Sequence, residues 1–385
     1  MFQGLFPRLL SVGLLASIGA TAGAQVKVGV IVSATGPAAS IGIPERRVVD
    51  LMPRRIGDKT IEYIVMDDAT DTNQAVKAAR KLMADDKVDV LIGPSASAPS
   101  IAVVNVAAEL STPMVSMASS SRIVSPVDDK RKWAFKVVMD ESAMVETTLK
   151  HLSETNKRKL AFIGSGDAYG DVWLAEVNRL RGKYGVELVG TERFASSDVT
   201  VLAQVAKVMA TSPDAVLIAA GGTPAALPHK TLRERQYKGL IVQTYGASVP
   251  EVLKIGGKDM AGTIAANWLG FVPEQMDRDD PVRLATEELN KKYEAAYGAG
   301  SWSPSAVNAW TAWQLLQNAL PEVLKTQQPG TPAFRSALRD HLEKTKNLST
   351  AMGIISMSPQ DHMGFDLRST TVFELRDGSW TRIAK

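Results

Sequence analysis

The amino-acid sequence predicts an α/β protein with two doubly wound parallel sheets, and three observations carry this prediction. Apolar runs typical of strands alternate with amphipathic runs typical of helices along most of the chain. The strand-like runs, such as VKVGVIV at Val26–Val32, are largely apolar instead of alternating, which indicates strands buried on both faces. The alternation occurs in two successive sets, and a chain of 385 residues favours two domains over one.

The first set of elements ends near residue 116. Its strands are expected at residues 26–32, 61–66, 88–92 and 114–116. Its helices are expected from Pro44 onwards, over residues 73–85 and over residues 99–110. Asp71 and Thr72 can cap the second of these helices, because short polar side chains accept hydrogen bonds from first-turn amides.

The second set begins near residue 141. Its strands are expected at residues 160–163, 186–189, 215–219, 240–243 and 263–266. Its helices are expected at residues 142–155, 170–184, 199–210 and 224–235, with one more before the last strand. The pattern then turns helical over residues 281–297, 305–320 and 332–345, and returns to strands at 354–357, 371–375 and 380–383. Asp377-Gly378 predicts the turn of a terminal hairpin.

Residues 1–24 have the layout of a secretory signal peptide. Arg8 precedes an apolar run of about 12 residues, and the small residues Ala22-Gly23-Ala24 form a cleavage site. A membrane-spanning helix needs roughly 20 apolar residues, so a cleaved peptide is the preferred interpretation over an anchor. We therefore expect a mature protein that begins at Gln25 and resides in the periplasm.

Composition excludes several function classes. The chain has no cysteine, which removes thiol nucleophiles, thiolate zinc sites, iron–sulfur clusters and disulfides. Its net charge of +3 offers no electrostatic case for nucleic-acid binding. The four histidines are scattered without the spacing of metal ligands, so neither a metal site nor a cofactor is expected.

Four loops that follow predicted strands are unusually small and polar. They are residues 93–97, 117–121, 164–170 and 221–224. Ligands of doubly wound folds bind beyond the carboxyl ends of the strands, and small residues let backbone amides approach a ligand closely. Serine hydroxyls and the helix N-termini beyond the loops favour an anion. Ordinary turn chemistry explains any one such loop, but two serine loops at equivalent places indicate a carboxylate cradle.

The order of four segments carries a family resemblance. These are VKVGVIVSATGPAASIG, VMDDATDTNQAVKAARKLMADDKVDVLIGPSASAPS, STPMVSMASSS and FIGSGDAYGD. The chain resembles the periplasmic leucine/isoleucine/valine-type binding proteins of ABC transporters over nearly its whole mature length. The resemblance implies type I periplasmic-binding architecture, in which two α/β lobes are joined by a hinge of three crossover strands. Lobe 1 would hold residues 26–140 and 273–350, and lobe 2 residues 141–272 and 351–385.

The resemblance also implies where a ligand binds. The family's two carboxylate loops are matched by Ser95 with Ser97 and by Ser119 with Ser120. Tyr169 matches the residue of lobe 2 that closes over the ligand. Ile41 and Thr223 stand where the family often has aromatic side chains. Hinge closure around the ligand would be sensed by the membrane permease subunits, the expected partners.

One position departs from the amino-acid binders of this family. Tyr245 stands before Gly246, where those proteins carry an acidic residue that holds the ammonium of the ligand. An unpaired ammonium in a closed cleft costs several kcal/mol. Unless Asp167 or another acid substitutes, an amine-free carboxylate, aromatic or short, becomes an alternative to a branched-chain amino acid.

The expected function is solute binding for an ABC importer, without catalysis, and three alternatives were compared with it. A ligand-sensing receptor subunit would keep the same fold. A dinucleotide-dependent oxidoreductase is disfavoured because Gly170 comes one residue too late after Gly164 and Gly166 for the G-x-G-x-x-G fingerprint. A hydrolase is disfavoured because no G-x-S-x-G motif occurs.

Overall fold

The computed structural model describes Met1, residues 25–365 and residues 369–383. Apart from Met1, the predicted signal peptide lies outside the described residues. The described strands are β1 Val26–Val32, β2 Arg55–Ile56, β3 Lys59–Asp67, β4 Val90–Ile92, β5 Met114–Ser116, β6 Ala134–Lys136, β7 Lys159–Ser165, β8 Glu187–Phe194, β9 Ala215–Ala219, β10 Leu240–Gln243, β11 Ile264–Trp268, β12 Leu348–Ser349, β13 Ile354–Ile355, β14 Thr370–Arg376 and β15 Ser379–Arg382.

The described α-helices alternate with these strands as far as β11. They are α1 Ala39–Leu51, α2 Thr72–Arg80, α3 Ser97–Glu109, α4 Glu141–Glu154, α5 Ala168–Leu180, α6 Leu202–Ala210, α7 Ala226–Glu234, α8 Pro250–Gly256, α9 Pro281–Tyr297, α10 Ala306–Leu324 and α11 Pro332–Leu342. Asp71 caps α2 as predicted, because its carboxylate accepts from the Gln74 amide at 2.8 Å.

Two sheets organise the chain. The first has the order β2-β3-β1-β4-β5-β6 and is parallel except for the short hairpin strand β2. The second has the order β15-β14-β11-β10-β9-β7-β8, in which β7 to β11 are parallel and the final hairpin is antiparallel. The hairpin turns at Asp377-Gly378, both with positive φ, as the sequence predicted.

Helices cover both faces of each sheet. In the first sheet, alternate residues of β1 and β4 face α2 and α3 on one side and α1 on the other. In the second, α4 and α5 cover one face and α6, α7 and α8 the opposite face. Helices α9 to α11 join the first sheet because α1 packs against α9 and α10, and α10 against α11. The predicted α/β fold with two doubly wound lobes is confirmed.

We call the six-stranded sheet with α1–α3 and α9–α11 the first lobe, and the seven-stranded sheet with α4–α8 the second lobe. The chain passes between them after β6, after β11 and after β13. The first and third of these links lie side by side. The Lys136 amide donates to the His362 carbonyl at 3.1 Å, and the Phe135 ring stacks on His362 with centroids 4.2 Å apart.

Helix α1 corrects one predicted boundary. The sequence predicted a helix from Pro44 onwards, but the helix begins at Ala39 and contains Pro44. Tertiary packing sets this start. A β-carbon on Gly42 would overlap the backbone of Ser33, so the close approach of α1 to the end of β1 requires glycine at this position.

Other differences are small. The sequence missed the three-residue strand β6 and the two-residue strands β2 and β12, which are too short to show a period. Helix α10 runs to Leu324 and contains Pro321, before which it was expected to end. The strand expected at 354–357 is limited to β13.

Candidate functional site

A cavity of about 330 Å³ lies between the two lobes. We call it the cleft cavity. Its walls come from the loops beyond the carboxyl ends of β1, β3, β4 and β5 in the first lobe, and of β7, β8, β9 and β10 in the second. Its lining is Pro37, Ala38, Ile41, Thr70, Ser95, Ala96, Ser97, Ala98, Pro99, Ala118, Ser119, Gly166, Asp167, Tyr169, Ala195, Ser196, Ser197, Gly221, Tyr245 and Gly246.

The structure brings six of the eight predicted ligand-binding residues into this lining. These six are Ile41, Ser95, Ser97, Ser119, Tyr169 and Tyr245. Ser120 lies behind the wall, fully buried, with no hydrogen-bond partner for its hydroxyl among the described residues. Thr223 begins a 3₁₀ turn beyond Gly222 and is also outside the lining.

The serine loop after β4 leads into the N-terminus of α3. Ala96 precedes the helix and no side chain of the described residues caps it, so the Ser97 and Ala98 amides keep their hydrogen-bonding capacity beside the cavity. The Ser97 hydroxyl is buried there without a partner among the described residues. Uncapped amides, the positive end of the helix dipole and a spare hydroxyl together suit a bound anion.

The second lobe contributes Tyr169 and Asp167 at the N-terminus of α5. Asp167 caps this helix, since one carboxylate oxygen accepts from the Tyr169 amide at 3.0 Å and the Gly170 amide at 3.1 Å. The same oxygen accepts from the Ser165 hydroxyl at 2.8 Å. The hydroxyl oxygen of Tyr169 is buried near the Thr244 hydroxyl and the Gly246 backbone, but it forms no well-aligned hydrogen bond among the described residues. Burial raises the pKa of Tyr169 above its usual value of 10, which keeps this hydroxyl a donor.

Tyr245 connects the two lobes at the edge of the cavity. The Asn308 amide nitrogen of α10 donates to the Tyr245 hydroxyl at 3.4 Å and to the buried carboxyl of Glu45 at 2.9 Å. The Tyr245 ring meets Trp268 edge-on, with centroids 6.2 Å apart. Trp268 is thus a support for the cavity wall and is itself fully buried.

Three buried ionisable residues behind the serines were missed at the sequence level. Glu141 accepts from the Ser119 hydroxyl at 2.8 Å. Burial raises the pKa of Glu141, and the positive charge of Lys136 opposes that shift. Lys136 donates to the Ser119 and Val138 carbonyls, so it fixes the backbone of the second serine loop. Glu45 lies four residues after Ile41, on the same face of the helix. This spacing was the signal in the sequence that could have placed Glu45 near the site.

Gly222 lies where the second lobe packs tightly against the first. Its φ of +67° and ψ of −159° lie in a region that essentially only glycine adopts. A β-carbon there would lie 2.8 Å from the Ser40 hydroxyl and 3.2 Å from the Pro37 carbonyl, both in the first lobe. The second lobe can therefore meet the first in this arrangement because residue 222 has no side chain.

We expect Gly222→Ala to weaken ligand binding by at least about tenfold, because the new methyl group holds the lobes apart. Gly257→Ala is the matched control, since Gly257 has φ of +55° and ψ of −137° with open space around its β-carbon position. Calorimetric titration and small-angle scattering with ligand would measure the effect. Equal affinity of the two variants would contradict the role of Gly222 in closure.

The sequence profile described as periplasmic binding protein matches residues 25–378. The chain belongs to the periplasmic binding protein family. This confirms the resemblance to the leucine/isoleucine/valine-type proteins, and the family is one of solute-binding proteins rather than enzymes. A search among curated proteins gave no significant match.

Solved structures agree with the family. An extracellular ligand-binding receptor from Rhodopseudomonas palustris HaA2 is 41% identical, with a TM-score of 0.91 over 94% of this chain and 100% of that chain. The branched-chain amino acid binding protein LivJ from Streptococcus pneumoniae, in complex with isoleucine, is 20% identical, with a TM-score of 0.79 over 94% and 100%. A solute-binding protein of an R. palustris ABC transporter, in complex with benzoate, is 20% identical, with a TM-score of 0.80 over 94% and 96%. At 20% identity the last two show the fold alone.

Members of the periplasmic binding protein family are periplasmic. Within the described residues, no helix has the length and apolar character needed to cross a membrane.

Proposed function

We propose that this periplasmic binding protein is the solute-binding component of an ABC importer. It captures a small carboxylate that lacks an α-ammonium group and delivers it to the permease subunits. Residues 26–140 with 273–350 and residues 141–272 with 351–385 move as two bodies that close around the ligand. A signal peptide over residues 1–24 directs the chain to the periplasm.

The choice of ligand rests on one observation, namely which charged residues line the cleft cavity. Among the described residues, no lysine, arginine or histidine lines it, and the one acidic lining residue is Asp167. One oxygen of that carboxylate already accepts three hydrogen bonds as the cap of α5. Tyr245 occupies the position at which the resemblance puts an ammonium-binding acid. Neutral donors that include Ser97 and the α3 amides remain, and these suit a carboxylate.

The rest of the ligand would lie against apolar surface. Ile41, Pro37, Ala118 and the rings of Tyr169 and Tyr245 line the cavity beyond the serines. Related folds hold isoleucine and benzoate, so both ligand classes fit an arrangement of this kind. Tyr245 in place of the family's acid, and the use of one Asp167 oxygen as the cap of α5, favour the second class here, because a buried ammonium that is incompletely paired costs several kcal/mol.

Calorimetric titration of ligand-free protein tests the proposal. We expect benzoate to bind, leucine to bind at least about a hundredfold more weakly, and benzamide, which lacks the charge, to bind weakly as well. Leucine binding as tight as that of benzoate would contradict the amine-free class. Failure of both carboxylates to bind would contradict carboxylate capture. Genes for a permease and an ATPase beside this one would favour an importer over a receptor subunit.

A further inference from the structure

A buried acid stands directly behind the proposed carboxylate site, where a negative charge would oppose binding. Glu45 of α1 is fully buried. One carboxyl oxygen accepts from the Asn308 amide nitrogen at 2.9 Å, and the other makes a short contact with the Ser95 hydroxyl. None of the ion pairs among the described residues includes Glu45.

The Ser95 hydroxyl has two possible hydrogen-bonding arrangements, which depend on whether Glu45 is ionised or protonated. The Ser95 oxygen accepts from the Ser33 amide at 3.0 Å, which uses one of its two lone pairs. If Glu45 is ionised, Ser95 must donate its hydrogen to Glu45 and presents only a lone pair to the cavity. If Glu45 is protonated, the acid donates to the second lone pair, and the Ser95 hydrogen is free to point into the cavity.

The surroundings of Glu45 favour the protonated state. The titratable groups that face it are Asp68, whose own carboxyl is buried, and Tyr245. Within the part of the chain that the structure describes, no cation offsets its charge. Burial raises the pKa of Glu45 from the usual 4.5 to about 8, against the lowering effect of the Ser95 and Asn308 hydrogen bonds.

Resting on the proposed function, we propose that Glu45 is a positioning residue whose proton, held in the contact with Ser95, turns the Ser95 hydroxyl hydrogen toward the ligand carboxylate. Glu45 itself does not touch the ligand, since it lies outside the lining of the cleft cavity. The ligand-bound protein then holds this proton more tightly than the free protein does. The affinity for a carboxylate is therefore highest at a pH below the pKa of Glu45 in the free protein, and it falls as the pH rises through that pKa.

The first test needs no ligand. Glutamine carries an NH₂ group in place of the acid hydroxyl, so E45Q donates to Ser95 at every pH while its oxygen still accepts from Asn308. The infrared difference spectrum of wild-type protein minus E45Q at pH 7 should contain the band of a protonated carboxyl group. This band should disappear as the pH is raised to 9.5. An ionised carboxylate at pH 7 overturns the proposal.

The second test follows benzoate affinity between pH 6.5 and pH 9. With a pKa of about 8, wild-type affinity should fall about tenfold from pH 7 to pH 9. E45Q should bind benzoate about tenfold more tightly than wild type at pH 9. Ser95→Ala should bind more weakly than wild type at pH 7 and lose the fall with pH, because the effect acts through the hydroxyl.

The outcomes are distinguishable. A flat wild-type profile, or a wild-type profile retained by E45Q, overturns the role of Glu45 while carboxylate capture stands. A fall with pH that persists in Ser95→Ala overturns the route through Ser95 and indicates direct repulsion between charges. If neither benzoate nor leucine binds at pH 6.5, the proposed function fails, and the infrared result alone decides whether Glu45 holds its proton.

Discussion

Gly93→Ala is expected to lower the free energy of unfolding by more than about 4 kcal/mol. Gly93 follows β4 with φ of +99°, and a β-carbon there would collide with the Ile31 carbonyl oxygen of the neighbouring strand β1. Neither backbone can retreat easily, because β1 and β4 are central strands packed on both faces. Urea denaturation followed by circular dichroism would measure the change.

Gly298→Ala separates the collision from the backbone strain. Gly298 has φ of +96°, almost the same as Gly93, but the space around its β-carbon position is open. This control should cost about 1–3 kcal/mol, the usual range for a strained backbone conformation. Equal destabilisation by the two substitutions would show that the packing of Gly93 against Ile31 has no stabilising role.

Gly93 also links stability to binding, because it opens the serine loop. Residues 95 and 97 follow it within four positions, and both line the cleft cavity. Any shift of the backbone that relieves the collision moves these serines, and the N-terminus of α3 with them, relative to the rest of the cavity wall. Binding of benzoate by the Gly93→Ala protein should thus be weaker than binding by Gly298→Ala even where both remain folded.

Tyr169→Ala is expected to weaken benzoate binding by at least about thirtyfold, which corresponds to about 2 kcal/mol. The ring of Tyr169 forms part of the second-lobe wall and packs against Trp173 with centroids 6.1 Å apart. Its removal would expose more of the cavity to water. Calorimetric titration at pH 7 measures the loss, and a thermal unfolding scan checks that the fold persists.

Tyr169→Phe isolates the hydroxyl from the ring. The hydroxyl oxygen is buried without a good partner among the described residues, and a buried donor normally has one. If the ligand supplies that partner, Tyr169→Phe should lose about three- to tenfold in affinity, the worth of one hydrogen bond. Unchanged affinity in both variants would mean that Tyr169 does not contact the ligand.

The fold was predictable because its signal is local. Each central strand is an apolar run of a few residues, and most helices have a periodic apolar face, so both show in short windows. Caps such as Asp71 and the turn at Asp377-Gly378 are equally local. The start of α1 was not predictable, because it depends on how closely Gly42 approaches Ser33 in the assembled lobe.

The candidate site was predictable in position but not in its hydrogen-bonding state. Strand ends followed by small polar loops predicted the loops, the family resemblance pointed to Ser95, Ser97 and Ser119 within them, and the structure gathers all three serines in one cavity. The sequence did not show which residues hydrogen-bond to these serines. Ser95 contacts Glu45 across 50 positions of sequence, and Asn308 reaches Glu45 across 263.

The sequence alone thus determined that this protein has two parallel-sheet lobes and that its polar loops lie at the ends of the strands. The tertiary structure decided which hydroxyls can still donate to a ligand. Backbone conformation follows from neighbours along the chain, whereas the hydrogen bonds of a buried side chain are made with whichever distant segments pack around it. The Ser97 hydroxyl has no hydrogen-bond partner in the described part of the chain, whereas Ser95 contacts a buried acid, although the two residues are only two positions apart.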